Sequence, residues 1–285
     1  MPYTALGGSA GTVTIGDVSL GLFPQQLHPN VMSYVAAQVA NGYSPSRARV
    51  DALNNLTWGL IGEGLWDLCD AIYPFLGGTT GAAQKWNLKN VADTDAAYRI
   101  TWTGAAITYS ENGVQNAAAT AGNYGNTFYT PSTSPASTSS VHFSAYLNIA
   151  PTGNGTIVMG AYSGSGAQAY QLGRLSTGGN PLFGNPNLAN ASYMSAGTNA
   201  SGFYCPVRNS SSSSTFYRNG LSVATSSAAT AAPTVSVYLL NRNGSLAASN
   251  GRLAFVSMGA GLTAQQALDL YNLVQTYQIA LGRQV

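Results

Sequence analysis

The stretch TFYRNGLSVAT, residues 215–225, decides the fold class of this chain. Two short runs rich in Thr, Phe, Tyr and Val flank the dipeptide Asn219-Gly220. Asn and Gly accept the positive φ that a two-residue hairpin turn requires, and the flanking residue types favour extended backbone. The stretch therefore predicts an antiparallel β-hairpin with strands over 215–218 and 221–225.

The same alternation of short extended runs and turn residues continues through residues 96–285. Asn112-Gly113 and Asn243-Gly244 are further turn formers. Many short strands at this spacing are typical of an antiparallel sandwich. The other predicted strands cover residues 98–102, 107–110, 141–149, 156–162, 169–175, 203–208, 235–240 and 253–258.

The N-terminal third has helical periodicity instead. Over residues 28–74, a first helix is predicted to end at Gly42. Ser44 and Pro45 are the predicted N-cap and first residue of a second helix. A last short helix is predicted over 65–73. Such short helices hold no large core of their own, so we expect them to pack against the sandwich or against another protein.

The chain is predicted to close with a helix. Thr263 and Gln266 have the spacing of a capping box, apolar residues then repeat on one face, and Gly282 ends the segment. Residues 1–27 are interpreted as an extended attachment arm that could add a strand to a neighbouring subunit, with a terminal strand of its own domain as the alternative.

Carboxylates are scarce in the β region. Between residues 96 and 285 the only two are Glu111 and Asp269. A glycosidase needs a pair of carboxylates, and a calcium lectin needs several oxygen ligands. The scarcity argues against catalysis and against a metal or other cofactor, and it favours a binding or structural protein.

Composition narrows the function classes further. Only 7% of residues are charged, 45% are hydrophobic, and the net charge is +2 without a basic stripe. A folded protein that binds no nucleic acid is expected, and no apolar run is long enough to span a membrane. The N-terminus has no signal-peptide pattern, which favours Cys69 and Cys205 as two buried free thiols over an interdomain disulfide.

Several stretches resemble known proteins. Residues 66–78 (WDLCDAIYPFLGG), 85–89 and 93–99 look like a module of structural proteins of tailed bacteriophages. Residues 215–220 and 251–259, with the ending at 262–285, resemble the concanavalin-A-like (laminin-G-like) jelly roll of tail fibres and other virion surface proteins.

This resemblance implies a mainly β fold, an antiparallel jelly-roll sandwich with a small N-terminal helical module and a C-terminal helix. The expected domains are the arm at 1–27, the helical module and linker at 28–95, and the sandwich with its C-terminal helix at 96–285. The calcium ligands and catalytic carboxylates of some family members have no counterpart in this chain, so neither is carried over.

The resemblance also implies a function and partners. The leading hypothesis is a non-enzymatic virion protein, made in the host bacterial cytoplasm, that serves as a tail fibre or tail-tip adhesin and binds a host-surface glycan. Attachment to other virion proteins through the arm and helical module, and assembly into a homotrimer, are expected. A head decoration or head-fibre protein is the alternative within this class. A capsular polysaccharide depolymerase and a carbohydrate-binding module of a secreted enzyme are the alternatives outside it.

The tyrosines of the sandwich are the best functional lead. Four of them lie on or beside predicted strand ends, and three arginines are near in sequence. Flat aromatic rings together with guanidinium donors bind sugars by stacking and hydrogen bonding without a metal. The structural alternative for each tyrosine is a ring that caps the core or packs against another subunit. The candidate ligand-binding residues are Tyr162, Tyr170, Arg174, Tyr193, Tyr204, Arg208 and Arg242.

Two other groups of residues are weaker candidates for a functional site. Glu63, Asp67 and Asp70 have the spacing of one helix face, which is more often a solvated face than an acid pair or half a metal site. A Ser-His-Asp triad would require His142 to meet Asp269 and a serine, and no nucleophile motif supports that arrangement.

Overall fold

The structure is a computed structural model that describes residues 12–15, 18–21, 26–163, 168–176, 181–188, 193–244 and 246–285. The helices are α1 (Pro29–Ala40), α2 (Arg47–Gly62) and α3 (Ala264–Ala280). The strands are β1 (Thr12–Ile15), β2 (Val18–Gly21), β3 (Cys69–Tyr73), β4 (Thr101–Thr103), β5 (Thr108–Ser110), β6 (Gly113–Gln115), β7 (Tyr124–Asn126), β8 (Val141–Ile149), β9 (Ile157–Ser163), β10 (Gln168–Arg174), β11 (Leu182–Leu188), β12 (Met194–Ser195), β13 (Gly202–Ser210), β14 (Ser213–Arg218), β15 (Leu221–Ser226), β16 (Tyr238–Leu239), β17 (Arg242–Asn243) and β18 (Arg252–Gly259).

Two large sheets form a sandwich. The first sheet has the order β12-β11-β10-β9-β16-β7-β4, with β17 beside β9. The second sheet has the order β15-β14-β13-β8-β18-β6-β5, with β3 beside β18. Apart from the parallel pair of β17 with β9, the strand pairs described are antiparallel. The predicted mainly β antiparallel sandwich with few helices is therefore confirmed.

The hairpin predicted at 215–225 is present. Strands β14 and β15 pair antiparallel, and Arg218 lies opposite Leu221. Asn219 has φ 50° and Gly220 has φ 77°. Two consecutive positive φ angles are the requirement that the Asn-Gly dipeptide meets, because few other residue types tolerate them.

The core between the sheets is built by strand alternation. On β8, Val141, Phe143, Ala145 and Leu147 point into it, and Tyr170 and Leu172 of β10 face them from the first sheet. Directly opposite residues of a pleated sheet point to the same side, so these buried rows continue across neighbouring strands.

A second core lies on the other face of the second sheet. Helices α1, α2 and α3 cover this face, where Phe203, Cys205 and Tyr146 pack among helix residues such as Leu53 and Leu270. Strands such as β8 and β13 are consequently buried on both faces. The expectation that the short helices pack against the sandwich is confirmed.

Three of the four predicted helices are present as α1, α2 and α3. Helix α1 and the predicted Thr263 capping box of α3 are present, and α3 ends just before Gly282. The N-cap of α2 is Ser46, whose hydroxyl accepts from the Arg49 amide, so Ser44 and Pro45 lie outside the helix.

The predicted last helix at 65–73 is largely wrong. Residues Cys69–Tyr73 form β3, which pairs with β18 of the second sheet. The run CDAIY supplies Ala71 and Tyr73 to one core and Cys69 and Ile72 to the other. The side chains alternate between the two cores from Ala71 to Tyr73, and the register shift between Met258 and Gly259 of β18 places Cys69 on the same side as Ile72. Pairing with an existing sheet edge overrides the weak helical pattern.

The N-terminal segment is described only in part. Strands β1 and β2 pair antiparallel with each other as a two-stranded sheet. The attachment role of the arm and the domain limits remain predictions. In the described residues, Cys69 and Cys205 are free thiols buried in the second core. None of the described helices has both the length and the apolar character that crossing a bilayer requires.

Candidate functional site

The outer face of the first sheet, directed away from the sandwich core, carries the candidate site. Gly160, Gln171 and Asn185 lie directly opposite one another on β9, β10 and β11. Their neighbours Met159 and Leu172 belong to the core between the sheets. Since successive side chains of a strand point to opposite sides, Gln171 and Asn185 point outward. The three described helices belong to the second core, on the far side of the molecule.

A depression of about 170 Å³ opens on this face, and we call it the cradle. A Cβ at Gly160, which lies opposite Gln171, would come within 2.8 Å of the Gln171 Cβ, so this glycine leaves room for the Gln171 side chain. The side chains that line the cradle include Ile157, Gln171, Arg174, Phe183, Tyr193 and Arg242.

Gln171 and Tyr162 help to hold Arg242 in place. Its Nη1 donates to Oε1 of Gln171 at 3.0 Å, and its guanidinium lies over the Tyr162 ring, 4.6 Å from the centroid. Partial burial lowers the pKa of Arg242, and the nearby Tyr162 acts in the opposite direction. The guanidinium remains charged at neutral pH because the ordinary pKa of arginine is above 12.

Arg174 and Tyr193 form two further sides of the cradle. The Nη1 of Arg174 donates to Oδ1 of Asn154 at 2.7 Å and to the carbonyl oxygen of Thr152. The Tyr193 ring is 40% exposed and packs on Phe183, with 5.4 Å between the ring centroids. An aromatic ring with an accessible face beside fixed guanidinium donors suits a sugar, whose C–H groups stack and whose oxygens accept hydrogen bonds.

The two carboxylates of the β region lie elsewhere. Glu111 is in the turn between β5 and β6, where it accepts from Arg49 at 2.5 Å and from the Tyr43 hydroxyl at 3.1 Å. Asp269 is on α3 and accepts from Gln265. Among the described residues that line the cradle, the charged ones are both arginines.

The structure brings together four of the seven predicted ligand-binding residues. Arg174, Tyr193 and Arg242 line the cradle, and the Tyr162 ring packs against the guanidinium of Arg242. These four residues come from four separate segments, namely β9, β10, the residue before β12, and β17, and the strand order of the first sheet places them side by side.

The other three predicted residues are buried. Tyr170 and Tyr204 have no exposed surface, and their hydroxyls donate to the carbonyl oxygens of His142 at 2.8 Å and Ala200 at 2.6 Å. Arg208 is 3% exposed. The predicted ligand contact does not fit these residues, because a ligand could reach their side chains only if the sandwich opened.

Arg208 has a structural role instead. Its Nε and Nη2 donate to the carbonyl oxygens of Ser210 and Ser211, both at 3.0 Å, and its Nη1 donates to that of Asn187 at 2.5 Å. The side chain thereby joins the β13–β14 turn to β11 of the opposite sheet.

Sequence reasoning missed Gln171 and Phe183. The signal for Gln171 was present, because Tyr170 and Leu172 are apolar neighbours with period two and the residue between them must face the other way. Phe183 lies on β11, whose sequence LFGNPNL contains a glycine and a proline that conceal the strand.

A cluster of polar residues on the second sheet, His142, Ser257 and Cys69, is buried. His142 has no exposed surface; its Nδ1 bonds to the Ala260 carbonyl, so that nitrogen carries the proton, and its Nε2 lies 3.1 Å from the Ser257 hydroxyl. The Cys69 sulfur lies 4.0 Å from Nε2 of His142, and burial raises the pKa of the Cys69 thiol to about 12. A sealed thiol with a raised pKa is a poor nucleophile.

The predicted acidic face at 63–70 does not form. Helix α2 ends at Gly62, and Asp70 lies on β3, where it accepts from the Tyr129 hydroxyl at 3.2 Å. Over the described residues, no three His, Cys, Asp or Glu side chains are grouped so as to hold a metal ion.

Comparisons with known proteins give matches of fold only. No model of a known protein family and no curated protein matches the chain. Domain 4 of an extracellular arabinanase from Geobacillus stearothermophilus, solved in complex with arabinotriose, matches with a TM-score of 0.48 at 13% identity, over 71% of this chain and 98% of that domain.

Two further solved structures also match this chain in fold. The Trypanosoma rangeli sialidase in complex with 2,3-difluorosialic acid has a TM-score of 0.47 at 11% identity, over 78% of this chain and 38% of the sialidase. The CBM40 of the Ruminococcus gnavus IT-sialidase has a TM-score of 0.36 at 13% identity, over 47% of this chain and 84% of that module. At such identities the likeness concerns the fold alone and says nothing about ligand or activity.

Proposed function

We propose that this chain is a non-enzymatic surface protein of a bacteriophage virion, a tail fibre or tail-tip adhesin whose sandwich binds a host-surface glycan in the cradle. The observation that carries the glycan-binding part is the cradle itself. It combines an exposed aromatic ring, Tyr193, with the fixed guanidinium donors of Arg174 and Arg242 on one sheet face.

The absence of catalysis is part of this proposal. A depolymerase needs two carboxylates on opposite sides of a glycosidic bond. Glu111 is the best candidate by sequence, yet its carboxylate is bound by Arg49 and Tyr43 and lies outside the lining of the cradle. The geometry is thus better suited to holding a sugar than to cleaving it.

The virion part of the proposal rests on the resemblance of residues 66–78, 85–89 and 93–99 to a module of phage structural proteins. Attachment through the arm and the helical module, and assembly into a trimer, belong to the same proposal. The alternative position is the head, as a decoration or head-fibre protein.

An array of bacterial surface polysaccharides tests the glycan-binding part. We expect the full chain to bind at least one of them without releasing shorter fragments. Binding to none would contradict the adhesin proposal, and release of fragments would favour the depolymerase.

Quantitative mass spectrometry of purified virions tests the position on the particle. A few copies per particle are expected of a tail protein. A copy number close to that of the major capsid protein would favour head decoration, and complete absence would contradict the virion proposal.

A further inference from the structure

The charges around the cradle point to a class of sugar. Arg174 and Arg242 are two of the chain's eleven cationic residues, and both line the same depression of about 170 Å³. No carboxylate is among the described residues of its lining. The cradle is therefore a small concave surface with two positive charges, where the local potential favours an anion.

Both guanidinium groups are held before any ligand arrives. Arg242 is fixed between the Tyr162 ring and Oε1 of Gln171, and Arg174 is fixed by Asn154 and the Thr152 carbonyl. A planar guanidinium that is already oriented loses little conformational entropy when it binds a carboxylate or phosphate.

A neutral sugar would use this lining less well. Sugar hydroxyl groups donate as well as accept hydrogen bonds, and a carboxylate is a stronger acceptor for them than a neutral group is. The described lining of the cradle offers guanidinium donors but no carboxylate acceptor. An acid group on the sugar would match both arginines, and it would also offset the cost of keeping Arg242 partly out of water.

We propose that the cradle binds an anionic sugar, with the acid group placed between Arg174 and Arg242 and the sugar ring packed on Tyr193. This inference rests on the proposed glycan-binding function and names the substrate class of the same site. A carboxylate and a phosphate share the required chemistry, and the experiment distinguishes these two sources.

The experiment measures equilibrium binding of the full chain to three polymers: polygalacturonate, polysialic acid and a phosphomannan. Each is paired with a neutral counterpart, made by reducing the carboxyl groups to alcohols or by removing the phosphate. We expect at least one acidic polymer to bind and its neutral counterpart to bind at least about tenfold more weakly, since charge-assisted hydrogen bonds are about twice as strong as neutral ones.

Matched variants test the residues. Arg242→Gln and Arg174→Gln are each expected to weaken binding of the acidic polymer at least about tenfold. Arg47→Gln removes the same charge from an exposed position on α2 and is expected to leave binding within about twofold. The comparison of acidic with neutral polymer on the unaltered chain does not depend on the folding of any variant.

The outcomes separate this inference from the proposed function. Equal binding of an acidic polymer and its neutral counterpart would overturn the inference and leave glycan binding intact. Binding to none of the six polymers would overturn the inference as well, and the polysaccharide array would then decide whether the chain binds glycans at all.

Discussion

Replacement of Arg283 by methionine is expected to lower the free energy of unfolding by about 3–5 kcal/mol, because several buried carbonyl groups lose their donor at about 1–3 kcal/mol each. Arg283 follows α3 near the C-terminus and is only 5% exposed. Its guanidinium lies where α3, the segment after β3 and strand β18 meet.

The reason for the large effect is the number of carbonyl groups that depend on this one side chain. The guanidinium donates to the side-chain oxygen of Gln278 at 2.6 Å and to the backbone carbonyls of Phe75 at 2.8 Å, Ala254 at 2.8 Å, Pro74 at 3.0 Å and Glu111 at 3.2 Å. Methionine fills similar space but donates no hydrogen bond, so buried carbonyls would be left without a partner.

Urea-induced unfolding followed by fluorescence measures the change. Arg47→Met is the matched control, because the Arg47 side chain is 71% exposed and its ion pair with Asp51 lies on the surface. The control is expected to change stability by less than about 1 kcal/mol. A loss below about 1 kcal/mol for Arg283→Met would show that water replaces the missing donor and that the contact network is not needed for stability.

Acid is expected to destabilise the fold through His142. Burial lowers the pKa of this imidazole from 6.5 to about 4, although the bond to the Ala260 carbonyl acts in the opposite direction. In the unfolded chain the imidazole takes up a proton near pH 6.5, whereas in the folded chain it does so only near pH 4.

The direction of the pH effect follows from these values. Above pH 6.5 His142 is neutral in both states and stability does not depend on it. Between pH 6.5 and 4 the unfolded chain binds the extra proton, so stability falls as the pH is lowered. The full loss is roughly 3 kcal/mol, because each unit of pKa difference corresponds to about 1.4 kcal/mol.

The measurement is the slope of stability against pH between 7 and 4 for the unaltered chain and for His142→Gln. We expect this variant to lose most of the slope, whatever its absolute stability. His28→Gln is the control: His28 is partly exposed at the N-cap of α1, so most of the slope is expected to remain. An unchanged slope in His142→Gln would mean that other groups cause the acid sensitivity.

Local sequence signals predicted much of the fold. Strand 141–149 was predicted with its observed limits, and the Asn219-Gly220 turn was recognised because its backbone demand is specific. Strand β3 was not predicted, since its five residues form a strand only by pairing with β18, which is far away in sequence. Strands β12 and β17, with two residues each, likewise depend on their neighbours.

The site was predictable in residue type more than in position. Tyrosine and arginine, the predicted residue types, do line the cradle. However, Tyr170 and Tyr204 point into the core, while Gln171 points into the cradle. Strand alternation could have separated these residues, because it fixes which side chains share a face. What sequence could not supply was the order of β9, β10, β11 and β17 in the sheet, which places Arg242 beside Gln171.

Binding of the best array polysaccharide to the unaltered chain, to Tyr193→Ala and to Trp58→Ala tests the central claim most directly. Tyr193 is 40% exposed in the cradle, and Trp58 is 37% exposed on α2, so the two variants remove similarly exposed aromatic rings. Loss of a stacking ring is expected to weaken binding at least about tenfold for Tyr193→Ala and to leave Trp58→Ala within about twofold. Equal binding by all three proteins, or weakening by Trp58→Ala alone, would contradict the assignment of the glycan site to the cradle.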